Sequence, residues 1–186
     1  MKEGTETTPS GSPLSGGRDQ DGREVVLGVD PSLRGTGWGV LESEGGRFKV
    51  GGFGVVKNPP GLRPSQCLVR IREVLAEVIR SRQPTVMAVE GLYFAQNMRT
   101  AFVMGHARGA VLLAGAEAGL DIYEYAPRRV KQSTVGVGGA AKKQVGFMVR
   151  AVLSLTETPP PDAADALAIA LTHLNMRRSI AERVAL

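Results

Sequence analysis

Four acidic residues, Asp30, Glu90, Asp162 and Asp165, have the types and placement for metal chemistry. Asp30 closes the β-branched apolar run 24–30 just before Pro31, and Glu90 closes a second apolar run, 85–90. Asp162 and Asp165 stand three apart at the head of an Ala-rich helical stretch, so they share a helix face. Four carboxylates brought within a few ångströms repel one another unless a cation neutralises them. All-oxygen donors of this hardness select Mg²⁺ or Mn²⁺. Two such ions roughly 3.5 to 4 Å apart could activate water on one side of a phosphodiester and stabilise the leaving 3′ oxygen on the other. Taken singly, each residue has an ordinary reading too. Asp30 suits a turn, Glu90 a solvated strand end, and Asp162 and Asp165 an N-cap and a charge serving the helix dipole. Only the constellation favours chemistry.

The elements that must carry these residues follow from hydrophobic period. Residues 1–23 are Gly, Ser, Thr, Pro and charge, with too little apolar surface to offset ordering entropy, and read as a disordered tail. A buried strand at 24–30 is followed by extended segments at 36–42 and 48–57, joined through a glycine-bearing hairpin. Leu68, Ile71, Val74, Leu75, Val78 and Ile79 mark an amphipathic helix over 66–82, before a strand at 85–90. An Ala- and Gly-rich helix spans 98–118, a short strand 121–125, and helical stretches 128–135 and 142–155 flank a glycine loop expected to be mobile. The final helix is predicted to begin at Asp162, after three prolines. The order β-β-β-α-β-α-β-α with a closing helix is that of the ribonuclease H-like fold, an α/β architecture with a five-stranded mixed sheet flanked by helices on both faces. The domain should occupy 24–178, leaving a C-terminal tail of 179–186.

Composition narrows the classes. The 186 residues carry 23 Lys and Arg against 18 Asp and Glu, a net charge of +5 that mildly favours a polyanionic partner. One cysteine, Cys67, and two distant histidines, His106 and His173, supply neither a disulfide framework nor a Cys/His zinc site. No run approaches the ~20 apolar residues of a membrane span, and residues 1–23 lack an apolar signal region, so a soluble cytoplasmic protein without membrane attachment is expected.

Local strings are more specific. Leu27-Gly28-Val29-Asp30-Pro31-Ser32 with Gly35-Thr36-Gly37-Trp38-Gly39-Val40, and Asp162-Ala163-Ala164-Asp165-Ala166-Leu167-Ala168 with Thr172-His173, resemble the motifs of the RuvC family of Holliday junction resolvases. Val89-Glu90, Asn97, Gly105-His106-Ala107-Arg108-Gly109, Tyr125-Ala126-Pro127 and Val130-Lys131-Gln132 fall between them in the family's order. The resemblance implies a metal-dependent endonuclease that cuts four-way DNA junctions in recombination and repair, with a modest preference for thymine-containing sequence. It implies that Asp30, Glu90, Asp162 and Asp165 hold two Mg²⁺ or Mn²⁺ ions per subunit, with Lys131 and Lys142 near the scissile phosphate. Lys142 and Lys143 also read as plain solvated charges at a helix start. Tyr93 falls where the family carries an aromatic that stacks on bases at the junction centre. Phe94 could share that role; either ring could instead pack into the core. Arg99, Arg108, Arg128, Lys131, Lys142 and Lys143 are candidates for phosphate contact. The family further implies a homodimer and a branch-migration helicase partner of the RuvA and RuvB type. Helix 98–118 is the candidate dimer surface, although its apolar content suits a core helix equally.

Two departures from the family pattern stand out: the N-terminal extension is long, and Gly139-Ala140-Ala141-Lys142 lacks the acidic residue often found before that lysine. Competing classes are an ATP-binding lobe of the actin type, a nuclease for structured RNA, and a module that holds junctions without cutting. Pro31-Ser32 after the aspartate and the single lobe argue against the first. The Asp-Ala-Ala-Asp helix start and the long helix 98–118 argue against the second, and retention of all four carboxylates against the third.

Overall fold

The computed structural model describes residues 23–44, 47–91 and 97–177. The elements run β1 (Glu24–Asp30), β2 (Gly35–Glu44), β3 (Arg47–Lys57), α1 (Pro64–Arg82), β4 (Val86–Glu90), α2 (Met98–Glu117), β5 (Asp121–Tyr125), α3 (Pro127–Val135), α4 (Lys142–Val152) and α5 (Pro161–Met176). One five-stranded mixed sheet has the order β3-β2-β1-β4-β5. Strands β1, β2 and β3 form an antiparallel meander, and β4 and β5 add in parallel to β1. This is the expected architecture.

The two-residue alternation of β1 decides what each face does. Val25, Leu27 and Val29 pack with α1 and α2 in one core, while Val26 packs with α3, α4 and α5 in the other. Both faces of the sheet are therefore covered, as the continuous apolar run of β1 requires.

Several boundaries differ from the sequence reading, and prolines explain most of the shift. Helices α1, α3 and α5 each begin on a proline, Pro64, Pro127 and Pro161. A first-turn proline lacks only an N–H that would have no helical partner, and its fixed φ suits the helix. Helix α5 thus starts one residue before Asp162, and the N-cap is Pro160, not the aspartate. Helix α4 stops at Val152 rather than Leu155, because Ser154 adopts a left-handed φ of 51°. Helix α2 begins where Asn97 accepts a hydrogen bond from the Thr100 N–H at 2.9 Å. No helix among the described residues is long and apolar enough to cross a membrane.

Candidate active site

Strand parity aims the first two carboxylates. Gly28 faces α5, since a Cβ there would lie 2.1 Å from the Ala166 carbonyl oxygen. Asp30, two residues on, shares that face. Gly28 aligns with Ala88 and Val29 with Val89 in the parallel β1–β4 pair, so Glu90 ends its strand beside Asp30 and on the same face. The turn after Asp30 is locked by Thr36, whose hydroxyl donates to the Ser32 carbonyl at 2.6 Å and accepts from the Ser32 N–H at 3.2 Å.

Helix α5 brings the other pair. Its backbone lies directly on β2: a Cβ on Gly37 would stand 1.9 Å from the Asp162 carbonyl oxygen, and one on Gly35 2.9 Å from Asp162 Oδ2. Gly37 is the cross-strand partner of Asp30. The Asp162 carboxylate is thereby placed one strand away from Asp30, and Asp165 follows one helical turn later.

Two lysines complete the cluster. Lys142 opens α4 and donates from Nζ to Asp165 Oδ2 at 2.9 Å. The helix start beneath it is fixed by Gln144, whose Oε1 accepts from the Ala141 N–H at 2.8 Å. Lys131, half-buried on α3, is close enough to favour ionisation of Glu90.

The electrostatics show how tightly these groups are drawn together. Burial, then the charges of Glu90 and Asp165, push the Asp30 carboxyl from its ordinary 3.8 up to about 8, with Lys142 opposing and Asp162 adding to the rise. Burial raises the Glu90 carboxyl as well, reinforced by Asp165 and opposed by Lys142 and Lys131. The Lys142 ammonium is held above its usual value by its hydrogen bond to Asp165, against a smaller burial effect, with Asp165, Asp30 and Asp162 adding. Such an oxygen-only site, too crowded with like charge to ionise fully by itself, fits a hard divalent cation. Among the described residues no group of three or more Asp, Glu, His or Cys side chains is arranged to hold a metal ion as the side chains stand. Asp165 is engaged instead by Lys142.

The remaining sequence candidates distribute unevenly. Arg99 and Arg128 are exposed, at the start of α2 and of α3. The Arg128 stem lies across Gly138, so the glycine loop expected to be mobile is braced at that point. Lys143 is exposed beside Lys142. Arg108 departs from the expected outward, DNA-facing placement. Its side chain is largely buried and its guanidinium pairs with Glu124 on β5, because α2 presses that face onto the sheet. Tyr93 and Phe94 lie outside the described residues.

Sequence reasoning missed the glycines that seat α5. Their signal was present, since Gly35, Gly37 and Gly39 alternate along one face of β2 and leave room for a helix backbone. It also missed a buried chain in which Tyr125 Oη meets His173 Nδ1 at 3.0 Å and His173 Nε2 meets Glu24 Oε1 at 3.1 Å, tying β5 and β1 to the far end of α5.

Comparison with known proteins places this geometry. The model of the family "Crossover junction endodeoxyribonuclease RuvC" matches residues 26–173, a span that includes all four carboxylates. The chain is 48% identical over 149 residues to the crossover junction endodeoxyribonuclease RuvC of Akkermansia muciniphila, covering 80% of this chain and 89% of that protein. It is equally 48% identical over 148 residues to that of Bordetella avium, covering 80% and 82%. The solved structure of T. thermophilus RuvC in complex with Holliday junction substrate superposes with a TM-score of 0.79 at 40% identity, covering 84% of this chain and 96% of that one. The matched span, the structural superposition and the extent of identity agree: this chain belongs to the RuvC family of crossover junction endodeoxyribonucleases.

Proposed function

We propose that this chain resolves four-way DNA junctions by two symmetric, divalent-metal-dependent nicks, acting in the cytoplasm during recombination and repair. The observation that carries the reading is the gathering of Asp30, Glu90, Asp162 and Asp165 from β1, β4 and α5 into one charge-coupled cluster. Asp30 and Glu90, with Asp162 and Asp165, would hold two Mg²⁺ or Mn²⁺ ions. Bound there, the ions supply Lewis acidity for water ionisation and for the departing 3′ oxygen. The protein's own part is positional. The strand ends fix Asp30 and Glu90 rigidly, and α5 brings its two carboxylates onto the same edge. Lys142 carries a firmly retained proton beside Asp165 and can offset charge growing on the phosphoryl oxygens; Lys131 does so from the Glu90 side. Lys143, Arg128 and Arg99 lie exposed around this edge for backbone phosphates, giving salt-dependent affinity. Arg108 instead ties α2 to β5 through Glu124.

A second copy of the chain is the natural counterpart of a four-armed substrate with two-fold symmetry. Its seat is the outer face of α1 and α2. Gly105 and Gly109 border open space there, and Val69, Met98, Phe102 and Leu113 are exposed. Val111 and Ala114 on the opposite face of α2 are buried, so one helix serves core and dimer at once. A branch-migration helicase complex that delivers junctions would be the further partner.

The test offers a synthetic DNA four-way junction, linear duplex of the same sequence and a junction built of RNA, each with Mg²⁺ or Mn²⁺. Paired nicks at symmetric positions in the DNA junction alone are expected. Equal or faster cutting of the RNA junction would make this a nuclease for structured RNA, and selective junction binding without cutting under either metal would leave a binding module.

A further inference from the structure

The cleft continues beyond the carboxylates. Lys142 and Asp165 also line a cavity of about 220 Å³ between α4 and α5, whose other walls include Gly146, Thr158, Pro159, Pro161 and Ala164. Lys143 joins that pair in the lining, and most of the lining surface is apolar. The volume is below the ~300 Å³ at which pockets for whole small molecules begin, so it suits a fragment of a longer ligand.

Gly146 is the residue that keeps the cavity open. It lies in the interior of α4, where glycine costs roughly 1 kcal/mol against alanine. The fold does not demand it, because an added Cβ would stand 3.6 Å from Thr158 Cγ2 and 4.0 Å from Ala164 Cβ, both ordinary contacts. Its φ is not in the left-handed range. A helix-weakening glycine with no packing or backbone requirement, set in the wall of a cavity beside the reacting centre, points to a ligand.

We infer that this cavity is a subsite for the nucleoside flanking the scissile phosphate. The inference rests on the nuclease reading above. Lys142 and Asp165 belong both to the carboxylate cluster and to the lining of the cavity, so a strand whose scissile phosphate lies at that cluster presents a flanking nucleoside to the cavity. The apolar walls take the face of its deoxyribose or base, and Lys143 meets the next phosphate. The walls carry almost no donors or acceptors, so the subsite selects shape more than sequence.

The experiment fills the cavity at Gly146 and measures junction cleavage by the full chain with Mg²⁺. Gly146→Val raises KM by about 10-fold with kcat unchanged, as expected when an isopropyl group fills an apolar subsite. Gly146→Ala, which strengthens the helix, raises Tm and shifts KM less in the same direction. Junctions carrying one abasic site or one ribonucleotide at either position flanking the cut identify the occupant. An abasic penalty marks the base and a ribonucleotide penalty marks the sugar; in either case the penalty falls at one position and disappears in Gly146→Val. A KM equal to wild type in both variants, or a position penalty that persists undiminished in Gly146→Val, overturns the subsite while leaving the nuclease reading intact. A wild-type chain that cuts no junction overturns both.

Discussion

Burial and three like-charged neighbours leave the Asp30 carboxyl protonated to about pH 8 in the metal-free protein. Between pH 3.8 and about 8 the folded chain therefore holds a proton that the unfolded chain has released. Folding takes up that proton, so the contribution of Asp30 to stability falls as pH rises through the window, and Glu90 acts in the same direction. The Tm of metal-free protein should drop steadily over this range, and Asp30→Asn should flatten the slope. Saturating Mg²⁺ should raise Tm most at the alkaline end, where both carboxylates ionise readily to receive it. A metal-free Tm that rises with pH would contradict the electrostatic picture. Lys142 makes a separate claim at this scale. Lys142→Ala should lower kcat by about 10²- to 10³-fold, the usual cost of removing one fixed electrostatic donor, with junction binding weakened far less. The four carboxylates were legible in the sequence, because two ending strands and two sharing a helix face need no tertiary knowledge to be noticed, whereas Lys142 was singled out only by the family resemblance. The inward turn of Arg108 was not legible, since it depends on Glu124, sixteen residues away on a neighbouring element.

Helix α5 works as a rigid bracket. Its contact with the sheet is backbone against backbone at Gly28 and Gly37, where nothing larger than hydrogen fits. Gly28→Ala should destabilise the fold by ~1 to 3 kcal/mol or more in urea unfolding, because the 2.1 Å approach to the Ala166 carbonyl leaves no room for a methyl. Gly37→Ala pushes on Asp162 itself and should cost cleavage activity out of proportion to any loss of Tm. Wild-type cleavage by a folded Gly37→Ala variant would show that α5 need not be seated there. Period and composition sufficed to place all ten elements in order, including the hairpin whose flanking residues Glu44 and Arg47 pair across β2 and β3. Helix starts were missed by one or two residues because a run of polar residues hides a first-turn proline. The seat of α5 was missed because glycines in a strand show only that something approaches, not what.

On the scale of the whole molecule, the sheet divides labour between its faces. The α5 face carries the carboxylates, and the α1–α2 face presents an apolar groove bounded by Leu68, Val69, Gly105, Gly109 and Leu113. Replacing two exposed apolar residues on that outer surface, Phe102→Glu with Leu113→Glu, should convert a dimer to a monomer in sedimentation while costing the folded protomer no more than the ~0.5 kcal/mol per site typical of surface changes. The monomer should nick single strands of a junction while losing paired cutting. A wild type that sediments as a monomer at micromolar concentration would remove the basis for symmetric nicking. The ribonuclease H-like class was readable from element order alone. The dimer face was only half readable, because a helix that is apolar nearly all round looks the same whether its second side meets a core or a partner.

The most direct test of the central claim compares wild type with Asp30→Asn on one labelled four-way junction, following binding and cutting in the same reaction with Mg²⁺. Asp30→Asn is expected to keep selective binding of the junction, which rests on the surrounding basic residues, and to cut it more slowly by well over the ~10³-fold lost with a single electrostatic donor. Cutting by Asp30→Asn at a rate near wild type would contradict that claim, because the chemistry would then lie elsewhere than at the carboxylates gathered by β1, β4 and α5.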